Sequence, residues 1–162
     1  MRHGQRGFSL IELLIVVAIL LVLAAIAIPS FLRSRVAANQ ASAIESLRVI
    51  STAEVTYSTT YGGSFSTSLL VLGPPPSGQS TTSTAAGLLD EVLASGSKSG
   101  YVFIYSPSAF NAVTNTWNAY TLFGNPATYG QTGGAYYYTD QSFVIRSNTS
   151  TAAGSTDTPV GN

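Results

Sequence analysis

The chain has no cysteine, so neither a disulfide framework nor a thiolate metal site can form. Histidine occurs once, as His3, five residues before Phe8. The residue types that most often serve as general base and transition-metal ligand are therefore missing from the body of the protein. Charge is scarce too: Lys+Arg and Asp+Glu are seven each, 9% of residues together, with no net charge. Such a balance gives no field to draw nucleic acid or acidic lipid, and no nucleic-acid partner is expected. There is no phosphate-cradling glycine loop and no repeat of solenoid length. Asp90 and Glu91 are adjacent carboxylates, read here as a solvated helix edge rather than an acid/base pair. No enzymatic activity and no cofactor are expected. What remains abundant is Ser, Thr, Gly and Ala, a composition suited to packing against copies of itself.

The strongest positive feature lies near the N-terminus. Leu13 to Ile28 is an unbroken run of Leu, Ile, Val and Ala. With Phe8–Glu12 it gives roughly 32 Å of helix at about 1.5 Å per residue, enough for a hydrocarbon core of about 30 Å. Apolarity around the whole circumference argues against a buried core helix and for entry into a membrane. Glu12 breaks the pattern, where a carboxylate costs about 2.5–3.5 kcal/mol near the bilayer centre and less near its edge. Either Glu12 stays wet at the headgroups or it meets a positive group when copies assemble. Pro29 lacks an amide donor and presses on the carbonyl of Ala25, so a kink or loosening is expected there.

Gly7-Phe8-Ser9-Leu10-Ile11-Glu12, after a short basic leader and before a long apolar run, closely resembles the processing motif of type IV prepilins; Pro29 and Arg33 continue the likeness. The resemblance implies an α+β pilin fold: a long N-terminal α-helix, membrane-spanning in its first half and amphipathic in its second, packed on a small antiparallel β-sheet head. It implies that a prepilin peptidase removes residues 1–7 by cutting after Gly7 and methylates the new N-terminal Phe8. Glu12 matches the glutamate that neutralises the Phe8 amine of a neighbouring subunit. The implied partners are further copies in a helical filament, the peptidase, an inner-membrane assembly machine and, before assembly, membrane lipid. The implied locations are the inner membrane and then an extracellular pilus. A periplasmic type II secretion pseudopilus is the near alternative. The distant one is a secreted binding module cut by signal peptidase, with Arg2 and Arg6 as basic region and Ala25-Ile26-Ala27 as cleavage site. Glu12 inside the apolar run argues against that module.

Residues 8–30 are thus expected as the spanning half-helix and 31–162 as the head. From 31 to about 61, Val36, Ala43, Leu47, Ile50 and Tyr57 recur at helical spacing, with Glu54 the misfit; Gly62-Gly63 ends the helix. A loop over 62–87, stiffened by Pro74-Pro75-Pro76, leads to a short helix at 88–95 that buries Leu89, Val92 and Leu93. Strands are expected at Tyr101–Tyr105, closed by Pro107, and at Tyr120–Phe123. A hairpin of Tyr136–Thr139 and Phe143–Arg146 should turn at Asp140-Gln141-Ser142. Residues 147–162 read as a tail or a subunit contact. Asp140 and Asp157 are weak Ca²⁺ candidates, no other metal ligand is expected, and Asn148-Thr149-Ser150 matches a glycosylation sequon.

The cut-site assignment has a direct check. Gly7 lets a protease close on bare backbone, so Gly7→Val should leave full-length precursor in the membrane. Wild type should yield a protein starting at Phe8 with one added methyl mass. Normal maturation of Gly7→Val, by intact-protein mass spectrometry, would remove this assignment.

Overall fold

The computed structural model describes residues 8–161; His3, Gly7 and the expected leader lie outside the described residues. Helix α1 runs over Leu10–Thr60 and contains Pro29 without interruption. It carries no glycine, and Leu, Ala, Arg and Gln supply strong helix propensity. Gly62 and Gly63 end it at φ 91° and 81°, a left-handed backbone that a side chain would oppose. The amides of Tyr61 and Gly63 then close on the carbonyls of Tyr57 and Ser58 at 2.9 and 2.7 Å, satisfying acceptors the helix leaves open.

The chain divides into two compact units, Met1–Arg35 and Val36–Asn162. In the first, α1 is long and apolar enough to cross a membrane, and none of its most apolar window is buried. The second holds a six-stranded antiparallel sheet in sequence order: β1 (Ser97–Lys98), β2 (Tyr101–Asn111), β3 (Thr116–Pro126), β4 (Tyr136–Asp140), β5 (Arg146–Asn148) and β6 (Thr158–Pro159). A long helix with an antiparallel sheet is the α+β arrangement that the resemblance implies.

The strands differ from expectation in informative ways. β2 passes through Pro107, which pairs with Tyr120. β1 covers β2 only at Tyr101 and Val102, so Pro107 sits on an edge where a missing amide breaks no second ladder. β3 is correspondingly longer than Tyr120–Phe123. The β2–β3 turn is held by Asn111, whose side-chain oxygen accepts from the amides of Val113 and Thr114 at 2.9 and 3.3 Å, an Asx turn. Phe143–Ile145 is not strand. Phe143 adopts φ 62°, which no strand accommodates, and β5 starts only at Arg146. The expected tail contains most of β5 and all of β6. Asp157 fastens it, accepting from Asn148 Nδ2 at 3.0 Å and Gly154 N at 2.8 Å, while the Arg146 guanidinium donates to the Asp157 carbonyl at 2.8 Å.

Two short helices, α2 (Leu69–Leu72) and α3 (Glu91–Ala94), sit in the connection between α1 and the sheet. The helix expected at 88–95 is shorter because Asp90, accepting from Leu93 N at 2.6 Å, caps it at that point. Leu89, Leu93 and Ala94 are buried, but Val92 is 56% exposed, against expectation. Capping also explains Asp90's low pKa: the Leu93 amide and then Lys98 stabilise the carboxylate.

One continuous core forms from Ala43, Leu47 and Ile50 of α1, Leu72, Leu93, and Tyr101, Tyr120 and Leu122 of the sheet. Val36, the first residue of the expected stripe, is only half-buried. Glu54 is fully buried on that stripe. Its two oxygens accept from the Ser66 amide at 2.9 Å and the Ser66 hydroxyl at 2.5 Å, and the Tyr105 hydroxyl donates to the Ser66 carbonyl at 2.9 Å. Glu54 therefore pins the chain just after the helix exit to the helix and, through Tyr105, to β2. Burial raises its pKa above the ordinary 4.5, partly offset by the Ser66 donors. Burial and then the Glu54 charge push Tyr105 above the usual tyrosine range.

A carboxyl with a raised folded-state pKa holds more protons in the native than in the unfolded chain. Stability should therefore fall as pH climbs from its ordinary value through its folded one. Glu54→Gln should flatten that slope at pH values above the ordinary carboxylate range in denaturant titrations. Glu54→Ala, which strands the Ser66 donors, should cost about 1–3 kcal/mol. An unchanged slope in Glu54→Gln would remove Glu54 as its source. Because the whole core lies beyond Arg35, a chain starting at Phe31 should be a soluble monomer with mixed helix and strand circular dichroism. Persistent large oligomers of that fragment would show that the head alone drives association.

Candidate functional site

The exposed apolar helix and its single carboxylate form the site with the most unsatisfied chemistry. Phe8 is 77% exposed, and the large side chains from Leu10 to Leu32 are exposed with it. In water such a surface is strongly unfavourable, so the segment needs lipid or protein around it. Ser9, Leu10, Ile11 and Glu12 also spell an S-x-x-E capping box. The structure shows one half of that box: Ser9 N donates to Glu12 Oε2 at 2.9 Å. Leu13 N reaches the Ser9 carbonyl at 3.3 Å, starting the helical ladder. The sequence reading missed this local role of Glu12, although the S-x-x-E spacing carries it. Capping occupies one carboxylate oxygen; the other accepts nothing among the described residues. Glu12 can thus cap its own helix and still offer a charge to a cation beside the N-terminus.

Gly7 lies outside the described residues, and Phe8 stands two residues before the helix begins. Pro29 sits within α1, where its missing amide removes one ladder bond from an otherwise apolar segment. The other sequence candidates are not brought together here. Asp140 accepts from Ser142 N at 2.8 Å and from the Tyr138 hydroxyl at 3.1 Å, and Asp157 is committed as described. Among the described residues, no three His, Cys, Asp or Glu side chains converge on a metal position, so neither aspartate is supported as a Ca²⁺ ligand. Asn148 is likewise engaged: its amide nitrogen donates to Asp157, and its oxygen accepts from Ser150 N at 2.8 Å and Thr151 N at 3.2 Å.

Residues 2–28 match the family description "Prokaryotic N-terminal methylation motif". A stretch of 53 residues, 33% of this chain, is 48% identical to the type IV major pilin protein PilA of Myxococcus xanthus (strain DK1622). The match spans 24% of that protein's length. No solved structure gives a significant match.

Proposed function

We propose that this type IV pilin-like chain is a structural subunit of an extracellular filament, cut after Gly7, N-methylated at Phe8 and polymerised through its N-terminal helix. The observation that carries this reading is the uncovered apolar length of α1 with Glu12 one turn from its start. Prepilin peptidase and an inner-membrane assembly machine are the partners the reading requires. In the membrane, lipid covers the helix. In the filament, the helices of other copies replace lipid, so apolar surface never meets water during transfer. Exchanging lipid for protein gains little hydrophobic energy, so side-chain packing and the Glu12 charge must set the register.

The electrostatic argument is one of compensation. A carboxylate in the apolar run hinders insertion relative to alanine, so its presence requires a benefit after insertion. Helix capping supplies part of that benefit; the cleaved Phe8 amine of a neighbour supplies the rest. In an apolar interior an unpaired ammonium or carboxylate is heavily penalised, and removing one partner of a buried pair is worse than never having formed it.

Glu12→Ala should insert, be cleaved and be methylated, but give almost no fibre. Glu12→Gln retains the cap and a hydrogen-bond acceptor while losing the charge, and should give an intermediate yield. The measurement is sheared fibre against membrane-bound methylated subunit for wild type and both variants. Wild-type yield from Glu12→Ala would overturn the assembly mechanism. Methylated Phe8 in long surface fibres supports a pilus, whereas methylated Phe8 held within the envelope would move the chain to the pseudopilus class.

A further inference from the structure

The second unit carries an apolar groove with an unusual wall. It has a volume of about 450 Å³ and lies between α1, at Arg48, Thr52, Val55 and Thr56, and the β4–β5 connection, at Phe143 and Ile145. Val55 is 42% and Phe143 46% exposed. Four non-glycine residues among those described have positive φ: Ser99, Ala109, Asn115 and Phe143. Phe143 is the bulky one, and a bulky residue in this region is strained. Glycine would occupy the same turn without strain. The turn itself is well made: Ser142 N donates to Asp140 Oδ1 at 2.8 Å and Phe143 N to the Asp140 carbonyl at 2.9 Å. The strained backbone therefore holds a half-exposed phenyl ring at the rim of the groove.

The two threonines of the helical wall are prepared for burial. Thr52 Oγ1 donates to the Arg48 carbonyl at 2.9 Å and Thr56 Oγ1 to the Thr52 carbonyl at 3.0 Å. Both threonine hydroxyls are thus spent inside their own helix, which leaves the unpartnered Ser51 hydroxyl and the Arg48 guanidinium as the polar donors of this wall. The only charged group lining the groove is Arg48, 3.8 Å from Glu45, so the wall as a whole is close to neutral. The chain itself contains a segment with matching chemistry: Leu13 to Leu32 has no charged residue. Its large apolar side chains are uncovered, and Ala24, Ala25 and Ala27 are small enough to let another helix approach closely.

The geometry points to this groove as the seat of the apolar N-terminal helix of a second copy, with Phe143 as its anchor. The inference rests on the filament reading and adds the surface and the residue that select the neighbour. Side chains three and four apart on one helix form the ridges that a second helix packs between, and Arg48, Thr52, Val55 and Thr56 follow that spacing. Aromatic side chains that a partner buries fully carry a disproportionate share of binding.

The experiment compares wild type, Phe143→Gly and a chain with the photo-crosslinker benzoylphenylalanine at position 143, all as full-length protein in cells. Phe143→Gly should fold with unchanged or raised thermal stability, because strain is relieved. It should be cut and methylated normally, yet its sheared-fibre yield should fall about tenfold, the scale of losing one interface anchor. Crosslinked fibres should join position 143 to residues 13–32 of another copy by peptide mass spectrometry. Wild-type fibre yield from Phe143→Gly, or crosslinks confined to other segments, overturns the groove and leaves the filament standing. Absence of fibres in wild type overturns the filament reading, and the groove falls with it.

Discussion

The structure depends on one constraint: the apolar surface of the first half of α1 has nothing in its own unit to cover it. Soluble helices bury an apolar stripe and wet the opposite face. From Leu10 to Leu32 there is no wet face, and the one carboxylate lies within a turn of the start. Whatever this protein does must therefore begin by giving that surface an apolar environment, and must keep it there through any later change of place. Lipid, and in the proposed filament a bundle of apolar helices, satisfy the constraint without exposing the helix in between.

The second half of the helix obeys the ordinary rule and carries the fold. Ala43, Leu47, Ile50 and Tyr57 face the sheet, and the hydroxyls on the opposite side are spent on carbonyls one turn back. Glu54 is the exception that ties the parts together. A fully buried carboxylate is expensive unless its lone pairs are met, and here Ser66 meets both oxygens. Removing Glu54 would free the chain that leaves the helix, so a residue that looks like a defect in the stripe fixes the direction of the helix exit. Stability and geometry are bought together at this position.

The long-range plan was legible in the sequence because each signal was strong and local. The run Leu13–Ile28, the six-residue motif ending at Glu12, and Gly62-Gly63 at the helix exit each need only a short window to be read. The misreadings arose where backbone conformation or a distant partner decided the outcome. Nothing near Pro107 in sequence tells that β2 has an open edge there, and nothing near Phe143 marks it as left-handed; both β2 and β5 were misplaced for that reason. Spacing places Val92 inward, but α3 starts only after its Asp90 cap and buries Leu93 and Ala94 while Val92 faces out. β6 was invisible because Thr158–Pro159 has no strand character of its own and is held in register through Asp157 and Arg146.

Glu12 shows how a single residue can be read correctly for one role and incompletely for another. The cost of a carboxylate in an apolar run demands compensation, and that demand points to a positive partner outside the isolated chain. The structure adds a nearer compensation, the Ser9 amide at 2.9 Å, which helps Glu12 whether or not any neighbour is present. The two roles are compatible because a carboxylate has two oxygens and the cap uses one. They are also separable: capping requires only an acceptor, which glutamine supplies, while neutralising an amine requires charge. Under the proposed processing, the same atom set serves folding of the first turn at all times and recognition only once a free amine lies beside it, so that cleavage would convert a helix cap into an assembly contact.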